Sequence, residues 1–303
     1  MRKNMATLTD IKSRKLLIIN TIFIITWLII AAFPFIWTFL GSFKVREDFF
    51  SRSDWWYVIS GFNTIIETGG RYTLNAYKEA WIEGEFWYAA RNTIIVTFFV
   101  VTISLFLGTL GGYALSRSPY RYAFWILIAA LVFRAMPHIT LVSGYLFPFF
   151  QLNIWGILPT TIIVLVAINQ PFTLWLLYSF FKTVPKELDE SGMIDGCSHF
   201  QAFRYIIMPV MWPGVITAGL FSLMLAYNDF TVTAMLLSFE NHTMVPKLQS
   251  YLGTNQHEGN MMWAVASVVS ATAPLFMIVM FFQKQIISGL TAGAVKGLSL
   301  IHI

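Results

Sequence analysis

Few residues in this 303-residue chain can do chemistry, and their spacing argues against catalysis. Five histidines (His138, His199, His242, His257 and His302) are scattered along it, and none forms a His-Glu-x-x-His pair on one helix face. Cys197 stands alone, which leaves no internal disulfide and no cysteine cluster for a metal. No G-x-x-x-x-G-K-[ST] phosphate loop occurs. Gly108-Thr-Leu-Gly111-Gly112 lies inside an apolar run, where small residues let helices approach rather than cradle a nucleotide. What remains is a cation and an anion in apolar surroundings, Arg134 and Asp229, with the amides of Asn169, Gln170 and Asn228. Charge in hydrocarbon is costly, so it reads as function by default. These groups could bind or gate a hydroxyl-rich solute. A structural Arg134–Asp229 ion pair and amide hydrogen bonds between helices account for the same residues.

The elements that must hold these groups are membrane spans. Apolar residues make up 57% of the chain and charged ones 12%, against about a quarter charged in soluble domains. Six runs exceed the ~20 apolar residues that cross a bilayer: 16–43, 92–115, 122–150, 156–181, 214–238 and 262–287. Lipid satisfies no backbone hydrogen bond, so each run must be helical. Pro137 interrupts the third. The first run follows five basic residues, but its apolar core is longer than that of a cleaved signal, and a retained span is expected. At ~1.5 Å per residue, Arg134 lies about 18 Å into the third span and Asp229 about 22 Å into the fifth, at similar depth.

Basic residues set the orientation. With the N-terminus inside, twelve Lys and Arg fall in cytoplasmic segments and seven in external ones. Both termini and the 184–209 segment are then cytoplasmic, in a multi-pass protein of the bacterial inner membrane. The net charge of +5 follows from this bias and calls for membrane lipid, with no nucleic acid as partner. The external 44–91 segment carries Trp55, Trp56, Tyr57, Trp81, Trp87 and Tyr88, an interfacial belt by composition. It is long enough for some folded structure of its own.

The 184–209 segment is a polar island between apolar runs, with its own start and stop signals. Pro185 suits a helix entry, and Glu187, Asp189 and Glu190 favour that helix N-terminus. Asp195-Gly196 is a turn dipeptide. Ser198-His-Phe-Gln201 has capping-box spacing, and Phe200, Phe203, Tyr205 and Ile206 follow. Pro209 and Pro213 mark the entry to the fifth span. A folded helix-turn-helix here either docks a partner or packs on its own bundle.

The spacing Glu190-Ser191-Gly192, Gly196, Ile206, Met208-Pro209 resembles the "EAA" loop of ABC importer permeases. That pattern reads Glu-Ala-Ala, three residues, Gly, nine residues, Ile, one residue, Leu-Pro. Ser191, Gly192 and Met208 depart from it but keep its size class. Phe33-Pro-Phe-Ile-Trp37, Ser42-Phe-Lys44, Arg91-Asn-Thr93, Tyr113-Ala-Leu-Ser-Arg117, Tyr227-Asn-Asp-Phe230 and 289–297 resemble the carbohydrate-uptake branch, in particular its maltose-type second permease subunit. Residues 298–303 extend past the usual family ending.

The resemblance implies a type I importer permease: one all-α transmembrane domain over 1–303 with about six spans. Its coupling loop would comprise Glu190, Ser191, Gly192, Asp195, Gly196, Cys197, Phe203, Ile206 and Pro209. The implied partners are a second homologous permease, an ATPase subunit dimer holding ATP and Mg, a periplasmic or extracellular solute-binding protein and a sugar. The chain itself would be no enzyme. An ABC permease for another small polar solute and an ATP-independent secondary transporter are the competing readings.

Overall fold

A backbone surrounded by hydrocarbon must satisfy its own hydrogen bonds, and the named elements of this chain are helices. The computed structural model describes residues 2–45, 49, 73–253 and 258–294, with side chains for 16–45, 49, 73–252 and 261–285. Trp55, Trp56 and Tyr57, the 298–303 extension and the last part of the 289–297 motif lie outside the described residues. Five helices are long and apolar enough to cross a membrane, or six if one bent pair counts as a span.

The chain divides into two compact units, Met1–Gly84 with Thr254–Val269, and Glu85–Gly253 with Ser270–Ile303. In the first, helix α1 (Arg2–Gly41) has an apolar window none of whose residues is buried among the described residues. The short helix α2 (Asn75–Ile82) lies in the 44–91 segment. The hydroxyls of Ser42 and Tyr77 pair at 2.7 Å, and Trp263 Nε1 donates to Glu79 Oε2 at 3.0 Å.

The second unit is built on α3 (Phe86–Arg117) and α6 (Leu158–Phe181). Gly108, Gly111 and Gly112 let them meet. A Cβ at Gly112 would stand 3.0 Å from the Tyr178 backbone nitrogen, and one at Gly108 would stand 2.9 Å from Leu177. The small-residue stripe is a packing surface, as its position inside an apolar run implies.

The third span is two helices, α4 (Tyr122–Ala135) and α5 (His138–Gln151), bent by 87°. Proline disfavours helical ψ in the residue before it, and Met136 is extended at ψ 146°.

The fifth span differs from the expected 214–238. Helix α7 (Glu187–Ile194) is followed by α8 (His199–Ala202), which continues through a π-turn (Phe203–Ile207) into α9 (Met208–Tyr227). Pro209 has no N–H for the α-helical ladder, and just upstream the Met208 N–H reaches back five residues to the Phe203 carbonyl. The helix therefore widens and does not stop. At its far end α9 stops at Tyr227, and α10 (Thr231–Leu236) starts anew because Asp229 Oδ1 takes the N–H groups of Val232 and Thr233, both at 3.0 Å. Helices α11 (Met244–Gly253) and α12 (Glu258–Ala294) are the last described elements.

One core joins α3, α5, α6 and α10 through Val96, Val100, Val142, Leu165, Val232 and Leu236. A second gathers Leu177, Phe181 and Val184 with Phe203, Ile207 and Met211, fastening the hairpin to the end of α6.

Candidate functional site

The hairpin at 184–209 is folded by its own sequence. Its first helix ends at Gly196 in a left-handed conformation (φ +89°). The Gly196 N–H donates to the Met193 carbonyl, and the Cys197 N–H to that of Gly192. This pair of bonds is a Schellman closure, whose left-handed residue favours glycine. The second helix starts with the anticipated capping box: Gln201 N–H donates to Ser198 Oγ at 3.3 Å, and Ser198 N–H to Gln201 Oε1 at 2.8 Å.

The candidate residues divide between two faces. Glu190, Ser191, Asp195, Gly196 and Pro209 are exposed; Cys197 and Ile206 are half-buried; Gly192 and Phe203 are buried. A Cβ on Gly192 would collide with the tip of Ile206, so the small residue lets the two hairpin helices close on each other. Phe203 packs at 4.8 Å from the ring of Tyr113. On the outer face Met193, Ile194, Phe200 and Tyr205 are exposed, Ile194 by 85%. Large apolar side chains exposed on a folded hairpin are the kind of surface a partner would cover.

What holds the hairpin down is a group that its charge pattern does not single out. Asp189, read from sequence only as helix-dipole charge, is 8% exposed. Its Oδ2 lies 2.7 Å from Arg117 Nη2, an ion pair by distance, and its Oδ1 accepts from the Tyr113 hydroxyl at 2.6 Å. Arg117 Nη1 also donates to the carbonyls of Phe181 and Val184, at 3.2 and 3.1 Å. One guanidinium thus ties the last turn of α3, the C-terminus of α6 and the hairpin together. The available signal was spacing. Asp189 and Gly192 share one helix face, and an acid on a packed face needs a buried cation.

The intramembrane polar residues fall into two groups. Arg134 Nη1 donates to the Ile168 carbonyl and to Asn169 Oδ1, both at 3.1 Å, and its guanidinium lies 5.4 Å from the Phe172 ring centroid. These bonds serve α6 beside Pro171, which lacks a donor for the helix ladder. Gln170 Nε2 donates to the Ser104 carbonyl at 3.4 Å. Asn228 Nδ2 donates to the Met224 carbonyl at 2.9 Å, and Asp229 caps α10. The two charges therefore have separate partners, and the structure brings Arg134 together with Asn169 alone among the candidates.

The family model for the inner membrane component of binding-protein-dependent transport systems matches residues 101–291. The trehalose/maltose transport system permease protein MalG of Thermococcus litoralis is 32% identical over 293 residues, which is 95% of this chain and 99% of that protein. The diacetylchitobiose uptake system permease protein DasC of Streptomyces coelicolor is 29% identical, over 88% of this chain and 92% of its own. Among solved structures, a bacterial ABC transporter involved in import of the acidic polysaccharide alginate shares the fold, with a TM-score of 0.73 at 19% identity, over 89% of this chain and 96% of that one. Components of this kind are permease subunits and not enzymes; they work with separate ATPase subunits and a binding protein. By the extent of the match and the identity to a full-length relative, the chain belongs to the family of inner membrane components of binding-protein-dependent transport systems.

Proposed function

We propose that this chain is one permease subunit of an ATP-driven sugar importer. It forms half of a translocation path with a second, homologous permease, and both its termini are cytoplasmic. Its 184–209 hairpin seats in a groove of an ATPase subunit, and the ATPase dimer holds ATP and Mg. A periplasmic or extracellular binding protein delivers the sugar. Support for the substrate comes from the relatives, which are named for transport of trehalose, maltose and diacetylchitobiose. The observation that carries the coupling role is the hairpin itself, with an apolar outer face and an inner face locked to α3 and α6 through Asp189. A rigid element with a free apolar face transmits a push; a loop packed only on its own bundle has no such face. Closure of the ATPases would then move the hairpins and swing the spans between inward- and outward-facing states.

The test is reconstitution of the complete transporter in proteoliposomes. ATP-dependent uptake of sugar delivered by the binding protein is expected. Proline at 196 cannot adopt φ +89° and removes the N–H that bonds Met193. Gly196→Pro should therefore abolish uptake while leaving ATP hydrolysis and membrane insertion, and Glu190 substitutions should act in the same direction. Unchanged uptake in Gly196→Pro, or uptake by this chain alone without ATP, would overturn the reading.

A further inference from the structure

At the end of α3 away from Arg117 lies a polar cleft that the hairpin does not use. Helix α3 has 32 residues, so the cleft is about 48 Å along the axis from the hairpin end. Its volume is about 370 Å³. Glu85, Tyr88 and Arg91 form one wall; Phe239, Glu240 and Lys247 form the other.

Three features distinguish it from an ordinary surface dip. The first is the state of its charges. Two carboxylates and two cations line one space, and Arg91 is turned to Asn92, donating to its Oδ1 from Nε at 3.3 Å and from Nη2 at 3.1 Å. Opposite charges that line one cleft leave room for a group that bonds to both. The second is pre-organisation. Asn92, fully buried, donates from Nδ2 to the Asn241 carbonyl at 3.0 Å, and the Met244 N–H donates to Thr93 Oγ1 at 2.8 Å. These bonds fix the Glu240 turn against α3. Glu85 is held at φ +55°, a left-handed conformation costly for a residue with a side chain. The third is an exposed aromatic ring, Phe239, among charges that themselves lie against rings. The Arg91 guanidinium lies 5.3 Å from the Tyr88 ring centroid and the Lys247 ammonium 5.1 Å from that of Phe239, and Phe239 is 60% exposed.

The composition selects the ligand class. Burial, with Lys247 beside it, pushes the His242 pKa down, so that imidazole is neutral at neutral pH. The two acids and two bases then cancel, and the cleft offers no net attraction to an ion. It offers separate acceptors and donors for hydroxyl groups, with the exposed Phe239 ring for the apolar face of a sugar ring. We propose that this cleft is a carbohydrate-binding subsite on the mouth of the permease, taking one or two sugar rings before they enter the spans. The inference rests on the importer reading for the choice of sugar and for placing this end of α3 outside.

The experiment uses the complete transporter in nanodiscs, without the binding protein. The probe is a sugar that the same preparation has been shown to import when the binding protein is present. Ligand-observed saturation-transfer NMR should detect contact with the wild type. Glu240→Gln and Lys247→Met, both at exposed or half-buried positions outside the spans, should each weaken the signal about tenfold, the scale of one charge-assisted hydrogen bond. Phe239→Ala should remove the ring-proton contacts, and basal ATP hydrolysis should be unchanged in all three. Wild-type-like signal in the three variants, or no signal with the wild type, overturns the subsite. Failure of import in the wild type, by contrast, would sink the importer reading and is detected beforehand.

Discussion

At the residue scale, Asp189 carries more than its place in the chain suggests. A buried carboxylate is stable only with partners, and it has two, Arg117 and Tyr113. Asp189→Asn removes the charge that faces the guanidinium while Arg117 keeps its bonds to Phe181 and Val184. Loss of one partner of a buried pair costs about 3 kcal/mol or somewhat more. Tyr113→Phe removes one hydrogen bond and leaves the pair, a cost of about 1 kcal/mol. Thermal unfolding of the detergent-solubilised complex should therefore rank wild type above Tyr113→Phe and that above Asp189→Asn. Because the lost bonds fasten the hairpin, Asp189→Asn should also depress uptake more than ATP hydrolysis. An Asp189→Asn complex as stable and as active as wild type would remove the network from the coupling path.

At the scale of elements, the breaks matter as much as the helices. Asp229 both interrupts the run after α9 and starts α10, and its side chain performs the second task through a single oxygen that accepts two N–H groups. Asparagine keeps that oxygen and lacks the charge, whereas alanine loses both and costs about 1 kcal/mol of capping. If Asp229 lines the path, Asp229→Asn and Asp229→Ala both lose uptake, and only the alanine variant loses hydrogen-exchange protection across α10. Full uptake in Asp229→Asn would reduce the residue to a cap. The sequence made local devices legible: the capping box at Ser198 and Gln201, the turn at Gly196 and the bend at Pro137 each depend on neighbours a few residues apart. It left the Arg117–Asp189 joint hidden, because Tyr113 and Asp189 are 76 residues apart and only tertiary packing brings them together. The end of α9 was hidden for another reason. Apolar residues continue past Tyr227, so composition carried the expected span through a break that one carboxylate makes.

At the scale of the whole molecule, the proposed function requires the hairpin and the polar cleft to face opposite sides of the membrane. Charge counting predicts the hairpin inside, and the chain carries its own reporter for that prediction, since Cys197 is its single cysteine and lies half-exposed in the hairpin turn. A free thiol at that accessibility reacts through its thiolate. A membrane-impermeant maleimide should then leave intact spheroplasts unlabelled at this chain and label inside-out vesicles. Seating of the hairpin on an ATPase subunit should slow that labelling, because Cys197 sits between the exposed Ile194 and Phe200 that form the apolar outer face. Stripping the ATPase subunits from the vesicles should restore the faster rate, and Cys197→Ser should abolish the signal and preserve uptake. Labelling of intact spheroplasts would reverse the orientation and, with it, exchange the sides assigned to the hairpin and the sugar cleft. Equal rates with and without the ATPase would keep the orientation but take the partner off the outer face, leaving Met193, Ile194, Phe200 and Tyr205 as surface that some other protein must cover.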